Sequence, residues 1–212
     1  MQKKILAAMK VDAFCEELAS EAPAPGGGSV SALAAALGAS LAAMVARLTV
    51  GRKKYAAAEA AMKAVMESAD GSRATLLRLV DDDTAAYNAV MAAHRLPKET
   101  AEERADRARA IVDATRTAIA VPLEVARQAT SVLDLVLLVV GKGNVNAVSD
   151  AGVAGLLAHA AVEGALLNVR INLAGVRDPS VVDETKKVAR KIHDRAEDLA
   201  AKIAAAVASR MA

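Results

Sequence analysis

Apolar residues recur at spacings of three and four along almost the whole 212-residue chain, and no stretch alternates apolar with polar residues between hairpin turns. That period places apolar side chains on helix faces and leaves no strand to build a sheet from. The composition pushes the same way. Hydrophobic residues make up 54% of the chain but aromatics only 1%, and about a quarter of the residues are Ala, the strongest helix former and a poor strand former. The expected fold class is all-α: a single-domain bundle of long antiparallel helices, homodimeric, with no internal repeat and no inter-domain linker.

Breakers divide the pattern into six helices. The first is expected from about Lys4 to Glu21, ending at the Pro23–Gly28 segment; the second runs from Ser29, a good N-cap, to about Val50. The third, expected to be the longest, spans Tyr55 to His94, with Gly71 a weak point and Leu96-Pro97 closing it. A fourth, from Thr100 to Val140, carries Pro122, which should kink or split it, and Gly141-Lys142-Gly143 stops it. A fifth spans Val145 to Leu173, and a charged sixth runs from Pro179 to the C-terminus. Small faces on the second helix (Gly38, Ala42, Ala46) and the fifth (Gly152, Gly155, Gly164) suit close helix approach, in the core or at a subunit interface.

Charge and cysteine content narrow the partners. With 27 basic and 25 acidic residues the net charge is +2, too balanced for a nucleic-acid footprint. Cys15 is the single cysteine, so there is neither an internal disulfide nor a Cys-based zinc cage, and a cytoplasmic location is expected. Of two apolar stretches, Ser29–Ala46 is mostly Ala, Gly and Ser before Arg47, and Val132–Val140 is short and holds Asp134; no membrane span is expected from either. Lys3 and Lys4 begin the chain as a signal peptide would, but Lys10 and Asp12 interrupt the apolar run that follows.

No phosphate loop, His-Glu-x-x-His or Gly-x-Ser-x-Gly element occurs, and His94, His159 and His193 are scattered, forming no metal constellation in sequence. Four features bear on chemistry. Leu76, Val80, Asp83, Tyr87, Val90 and His94 step by three and four, which puts Asp83 inside an apolar stripe. A carboxylate there is either a general acid/base with a raised pKa or a structural acceptor between helices, whereas Asp81 and Asp82 point elsewhere as solvated charges. Gly26, Gly27, Gly28 and Ser29 enter a helix N-terminus, as an anion cradle or a capped flexible loop. Arg52, Lys53 and Lys54 form either an anion-binding or a merely solvated basic turn. Asn146, Asp150, Asn168 and Asn172 on the fifth helix suit a flat heterocycle with edge amides, or bridges between helices, with Ser149 and Asp150 also readable as a cap and first-turn charge.

Taken in order, PAPGGGSVSA (23–32), LTVGRKKY (48–55), DDDTAAY (81–87), LPK (96–98), VPL (121–123) and GNVNAVSD (143–150) resemble the cyclodeaminase/cyclohydrolase family of folate enzymes over nearly the whole chain. The resemblance implies an all-helical dimer that binds folate in a cleft near the subunit interface, with no metal and no cofactor beyond tetrahydrofolate as the one-carbon carrier. It implies that Asp83 is the catalytic aspartate and that Gly26, Gly27, Gly28 and Ser29 line the cleft. Asn144, Asn146, Ser149 and Asp150 would lie near the pterin or the reacting carbon, and Lys53 and Lys98 would hold the glutamate tail. The activity implied is that of a methenyltetrahydrofolate cyclohydrolase, because no formiminotransferase segment accompanies the chain. The alternative is a formiminotetrahydrofolate cyclodeaminase; a non-catalytic folate-binding or structural helical protein is the reading from another class.

Overall fold

The structure is a computed structural model and describes residues 5–212, so Lys3 and Lys4 lie outside the described residues. The described chain is all-helical, with six α-helices: α1 (Val11–Leu18), α2 (Gly27–Arg47), α3 (Glu59–His94), α4 (Ala101–Lys142), α5 (Val148–Leu173) and α6 (Pro179–Met211). Short 3-10 turns at Leu6–Ala8, Lys53–Ala58 and Val145–Ala147 link or precede them.

Cross-helix contacts fix the topology. Ser29 on α2 meets Val80 on α3 while Arg47 meets Asp70, so α2 and α3 are antiparallel. Gly38 faces Ala154 and Ser31 faces Gly164, so α5 is also antiparallel to α2; the pairs His159–Glu197 and Glu163–His193 set α6 antiparallel to α5. The helices α3, α2, α5 and α6 therefore form a layer in that order, and α4 packs against all four. The core between them is largely methyl-sized: Ala32, Ala35, Ala39, Ala42, Ala43 and Ala46 of α2 are inaccessible to solvent. Such small side chains let backbones approach closely. A Cβ on Gly38 would stand 3.0 Å from the Ala154 carbonyl oxygen, so that small face belongs to the core.

Several expected boundaries shift. The first helix is not continuous from Lys4 to Glu21: Met9 and Lys10 are extended, and the segment before them is held by Asp81, whose carboxylate accepts the Leu6 amide at 2.7 Å and the Ala7 amide at 3.5 Å. Asp81 is thus an anchor rather than a solvated charge, while Asp82 is exposed. Helix α2 starts earlier than Ser29. Gly26 occupies the N-cap position without a side-chain cap, and Ser29 is the third helical residue. The third helix begins at Glu59 because Tyr55 is non-helical, and at 36 residues it is shorter than the 42-residue α4. α4 continues through Pro122 without a break, and a Thr100–Glu103 capping box opens it. Two helices, Gly27–Arg47 and Val145–Leu173, are long and apolar enough to cross a membrane by length and composition, the second unexpected; α2 is mostly sheathed by its neighbours, and α5 leaves one face open.

Candidate active site

The stripe on α3 emerges from the core as it runs: Leu76 and Val80 are buried, Asp83, Tyr87 and Val90 half-buried, and His94 exposed. Asp83 sits where the apolar face meets the first turn of α2. The Ser29 hydroxyl lies 3.0 Å from Asp83 Oδ2 and 2.9 Å from the Val80 carbonyl oxygen, both acceptors for its one proton, with the Thr84 hydroxyl 3.3 Å away. Burial pushes the Asp83 carboxyl above the usual carboxylate range, and the hydroxyl and backbone amide of Ser29 pull part of the way back. The first turn of α2 adds the positive end of a helix dipole, unneutralised by any acidic residue there.

Gly28 makes this approach feasible. A Cβ at that position would lie 2.1 Å from Asp83 Oδ1 and 2.6 Å from Cγ, so the carboxyl occupies the space a side chain would need. Gly27 instead faces Asn168 on α5, whose Nδ2 is 3.5 Å from the equivalent point and donates to the Gly164 carbonyl oxygen at 2.9 Å. Asn172, a turn further on, bridges helices by donating to the Ala118 carbonyl oxygen at 2.6 Å. A cavity of about 250 Å³ opens alongside, lined by Leu6, Pro25, Asp81, Thr84, Ala85 and Asn88 among others.

The remaining candidates gather elsewhere. The Thr49 hydroxyl accepts the Asn144 amide at 2.8 Å, Asn144 Nδ2 donates to the Leu48 carbonyl oxygen at 3.2 Å, and Asn144 Oδ1 accepts the Asn146 amide at 3.1 Å. The Tyr55 hydroxyl accepts the Val145 amide at 3.1 Å. Asn144 therefore organises its own loop. Asn146 and Ser149 are exposed, and Ala147, not Ser149, is the N-cap of α5, with Asp150 half-buried in its first turn. Lys53 is exposed beyond the end of α2, and Lys98 is exposed in the turn between α3 and α4. Gly26–Ser29 with Asp83 and the Asn144–Asp150 loop with Lys53 thus stand at opposite ends of the 21-residue α2, about 30 Å apart at 1.5 Å per residue. Sequence motifs united them, and within one chain the fold does not.

Thr84 was not foreseen, since it lies outside the stripe and only its proximity to Ser29 shows its place. The histidines also differ from the sequence expectation: His159 comes together with Glu163 and Glu197, ligand atoms all within 4.8 Å.

A half-buried, proton-attracting carboxylate beside a helix N-terminus suits proton transfer at a cationic or developing-cation centre. Residues 10–191 match the family model described as formiminotransferase-cyclodeaminase, and the chain belongs to that family. It is 46% identical over 177 residues to a methenyltetrahydrofolate cyclohydrolase of Methylorubrum extorquens, covering 84% of this chain and 85% of that one. It is 37% identical over 174 residues to the formimidoyltransferase-cyclodeaminase of Rattus norvegicus, covering 82% of this chain and 32% of that longer protein. The crystal structure of a formiminotetrahydrofolate cyclodeaminase from Thermotoga maritima superposes with a TM-score of 0.86 at 26% identity, covering 95% of this chain and 97% of that one.

Proposed function

We propose that the protein is a cytoplasmic methenyltetrahydrofolate cyclohydrolase whose catalytic aspartate is Asp83. The observation that carries this reading is the Asp83–Ser29 pair under Gly28, in a chain 46% identical to a cyclohydrolase along most of both lengths. Water attacks the methenyl carbon of 5,10-methenyltetrahydrofolate, and Asp83 removes a proton from that water. The carboxylate's charge stabilises the amidinium before attack, and its raised proton affinity suits it to hold the proton and return it to the departing ring nitrogen as the hydroxyl of the intermediate gives its proton to solvent and becomes the formyl oxygen of 10-formyltetrahydrofolate. The cyclodeaminase alternative, favoured by the structural neighbour, uses the same carboxylate. There, the second folate nitrogen attacks the formimino carbon, and ammonia leaves with a proton from Asp83. No metal is needed for either route, because the substrate carbon is already an electrophilic amidine.

The assay that separates them follows the methenyl absorbance with each substrate, corrected for spontaneous reaction. Faster loss of the band from 5,10-methenyltetrahydrofolate is the expected result. Appearance of the band with ammonia from 5-formiminotetrahydrofolate would make it a cyclodeaminase, and inactivity of the folded protein on both would leave the binding or structural reading.

The same proposal includes a homodimer with a shared site. Val153, Leu156, Leu167 and Ile171 form one exposed stripe on α5, Leu156 and Ile171 at 73% and 72% exposure, beside exposed Leu37 on α2. The cavity lined by Thr84, the neighbour of Asp83, holds about 250 Å³, less than the roughly 300–1,000 Å³ usual for a small-molecule site, which a second wall would complete. The stripe is centred near the middle of both helices. Closing it on a second copy with the α5 helices antiparallel carries the partner's Asn144–Asp150 loop toward this chain's Gly26–Ser29 and Asp83, joining the two halves that one chain separates. Lys53 would arrive with that loop to meet the glutamate tail, and Lys98 is assigned the same tail. Light scattering should give the mass of a dimer for the native chain and of a monomer for Leu156→Glu. Mixing unfolded Asp83→Asn and Asp150→Asn chains and refolding them together should restore about a quarter of native activity, since half the dimers are mixed and each holds one intact site. No recovery from two inactive, folded parents would place each site within one chain.

A further inference from the structure

Outside the folate site, the seam between α5 and α6 holds an arrangement that neither fold nor proposed chemistry uses. His159 and Glu163 are four residues apart on α5, and His193 and Glu197 are four apart on α6. Residues at that spacing share a helix face. Because the helices are antiparallel, each histidine meets the other helix's glutamate: His159 Nε2 lies 2.7 Å from Glu197 Oε1, and His193 Nδ1 lies 2.7 Å from Glu163 Oε1. The result is a pseudo-symmetric square of two imidazoles and two carboxylates. Ligand atoms of His159, Glu163 and Glu197 are all within 4.8 Å of one another.

We propose that His159, Glu163, His193 and Glu197 bind one divalent transition-metal cation, with Zn²⁺ the best match. Imidazole nitrogen with carboxylate oxygen is a zinc donor set, and the two nitrogens disfavour Mg²⁺ or Ca²⁺, which prefer oxygen throughout. Tetrahedral zinc with bonds of about 2.0–2.1 Å needs neighbouring donor atoms about 3.3 Å apart. Three of the donors already lie within 4.8 Å of one another, and His193, 2.7 Å from Glu163, is the fourth donor that a side-chain rotation would bring in. All four side chains are partly exposed, at 29–53%, which leaves a path for the ion to enter. Net charge also balances: two carboxylates compensate one dication.

A cation there would tie α6 to the bundle. That helix buries only Ala196, Leu199 and Ile203 deeply, so a link across its middle adds to a modest interface. The site is on the α5–α6 seam, whereas Asp83 faces α2 from α3, so its role is structural or regulatory and does not depend on the folate reading.

Isothermal titration of chelator-treated full-length protein with Zn²⁺ tests this directly. The expected result is one ion per chain, no heat with Mg²⁺, and at least a tenfold weaker dissociation constant in both His159→Ala and Glu163→Gln. A second readout is thermal unfolding, where Zn²⁺ at a hundredfold excess over the native dissociation constant should raise Tm by about 5–10 °C in the native protein and by no more than about half that in the variants. Absence of binding to the native chain, or binding equally tight in the folded variants, would overturn the proposal.

Discussion

Asp83→Asn is expected to lower turnover by about a hundredfold or more, because it removes the titrating group and keeps the shape, and to raise the Michaelis constant for the cationic substrate, which loses the opposing charge. The amide oxygen can still accept from Ser29, which now holds the carboxylate. The same variant should be more stable than the native protein at neutral pH. Burial raises the native-state proton affinity of Asp83, so ionising it costs the folded state more than the unfolded one. The penalty is complete above the folded-state pKa and absent below the unfolded-state value near 3.9. The stabilisation gained by Asn should therefore fade as pH falls through that window. Steady-state kinetics and thermal melts at neutral and acidic pH check both parts. Full turnover would move the proton transfers to another residue, and a variant that is inactive and also less stable at neutral pH would make Asp83 a structural acceptor. Carboxylates kept at a cost to stability are a common mark of function.

Gly28→Ala should be nearly as damaging, for a steric reason. Its new methyl would overlap Asp83 Oδ1 at 2.1 Å and Oδ2 at 2.8 Å, so either the carboxyl rotates out of place or α2 draws back from α3. A displacement of about 1 Å at a reacting group can cost about a hundredfold in rate, and forcing a methyl into a packed contact typically destabilises by about 1–3 kcal/mol. Gly71→Ala is the matched control. It sits exposed within α3 with nothing inside 4 Å of its new methyl, so helix propensity alone acts and should stabilise by about 1 kcal/mol. Urea unfolding and turnover of both variants should separate in opposite directions. An active, stable Gly28→Ala would show that the close approach of α2 to α3 has no part in catalysis.

The helices were legible because their period and alanine content are local properties. Asp83 was legible because one carboxylate interrupts an otherwise apolar stripe. Pro122 read as a break and was not one, since the neighbours packed along α4 hold it in line. Asp81 was misread because its partners, the amides of Leu6 and Ala7, are more than seventy residues away. Gly26, Gly27 and Gly28 were indistinguishable as a run; only the position of Asp83 singles out the last. Asn144 and Ser29 carry motif signals for the same site, yet α2 holds them a helix length apart, a separation that no spacing in sequence reports. The histidines looked scattered for the converse reason, because antiparallel packing of α5 on α6 brings together residues 30 and 38 positions apart.

The methyl-sized interior of α2 also sets how this enzyme fails and how it can change. In most cores the damaging substitution is a truncation that leaves a void, but Ala32, Ala35, Ala39 and Ala43 have almost nothing to remove. Injury must come from enlargement, and a methyl added at any of these buried positions would wedge the layer apart and shift the ledge on which Ser29 and Asp83 meet. The buried axis that spaces the two ends of the helix thereby acts as a fixed ruler.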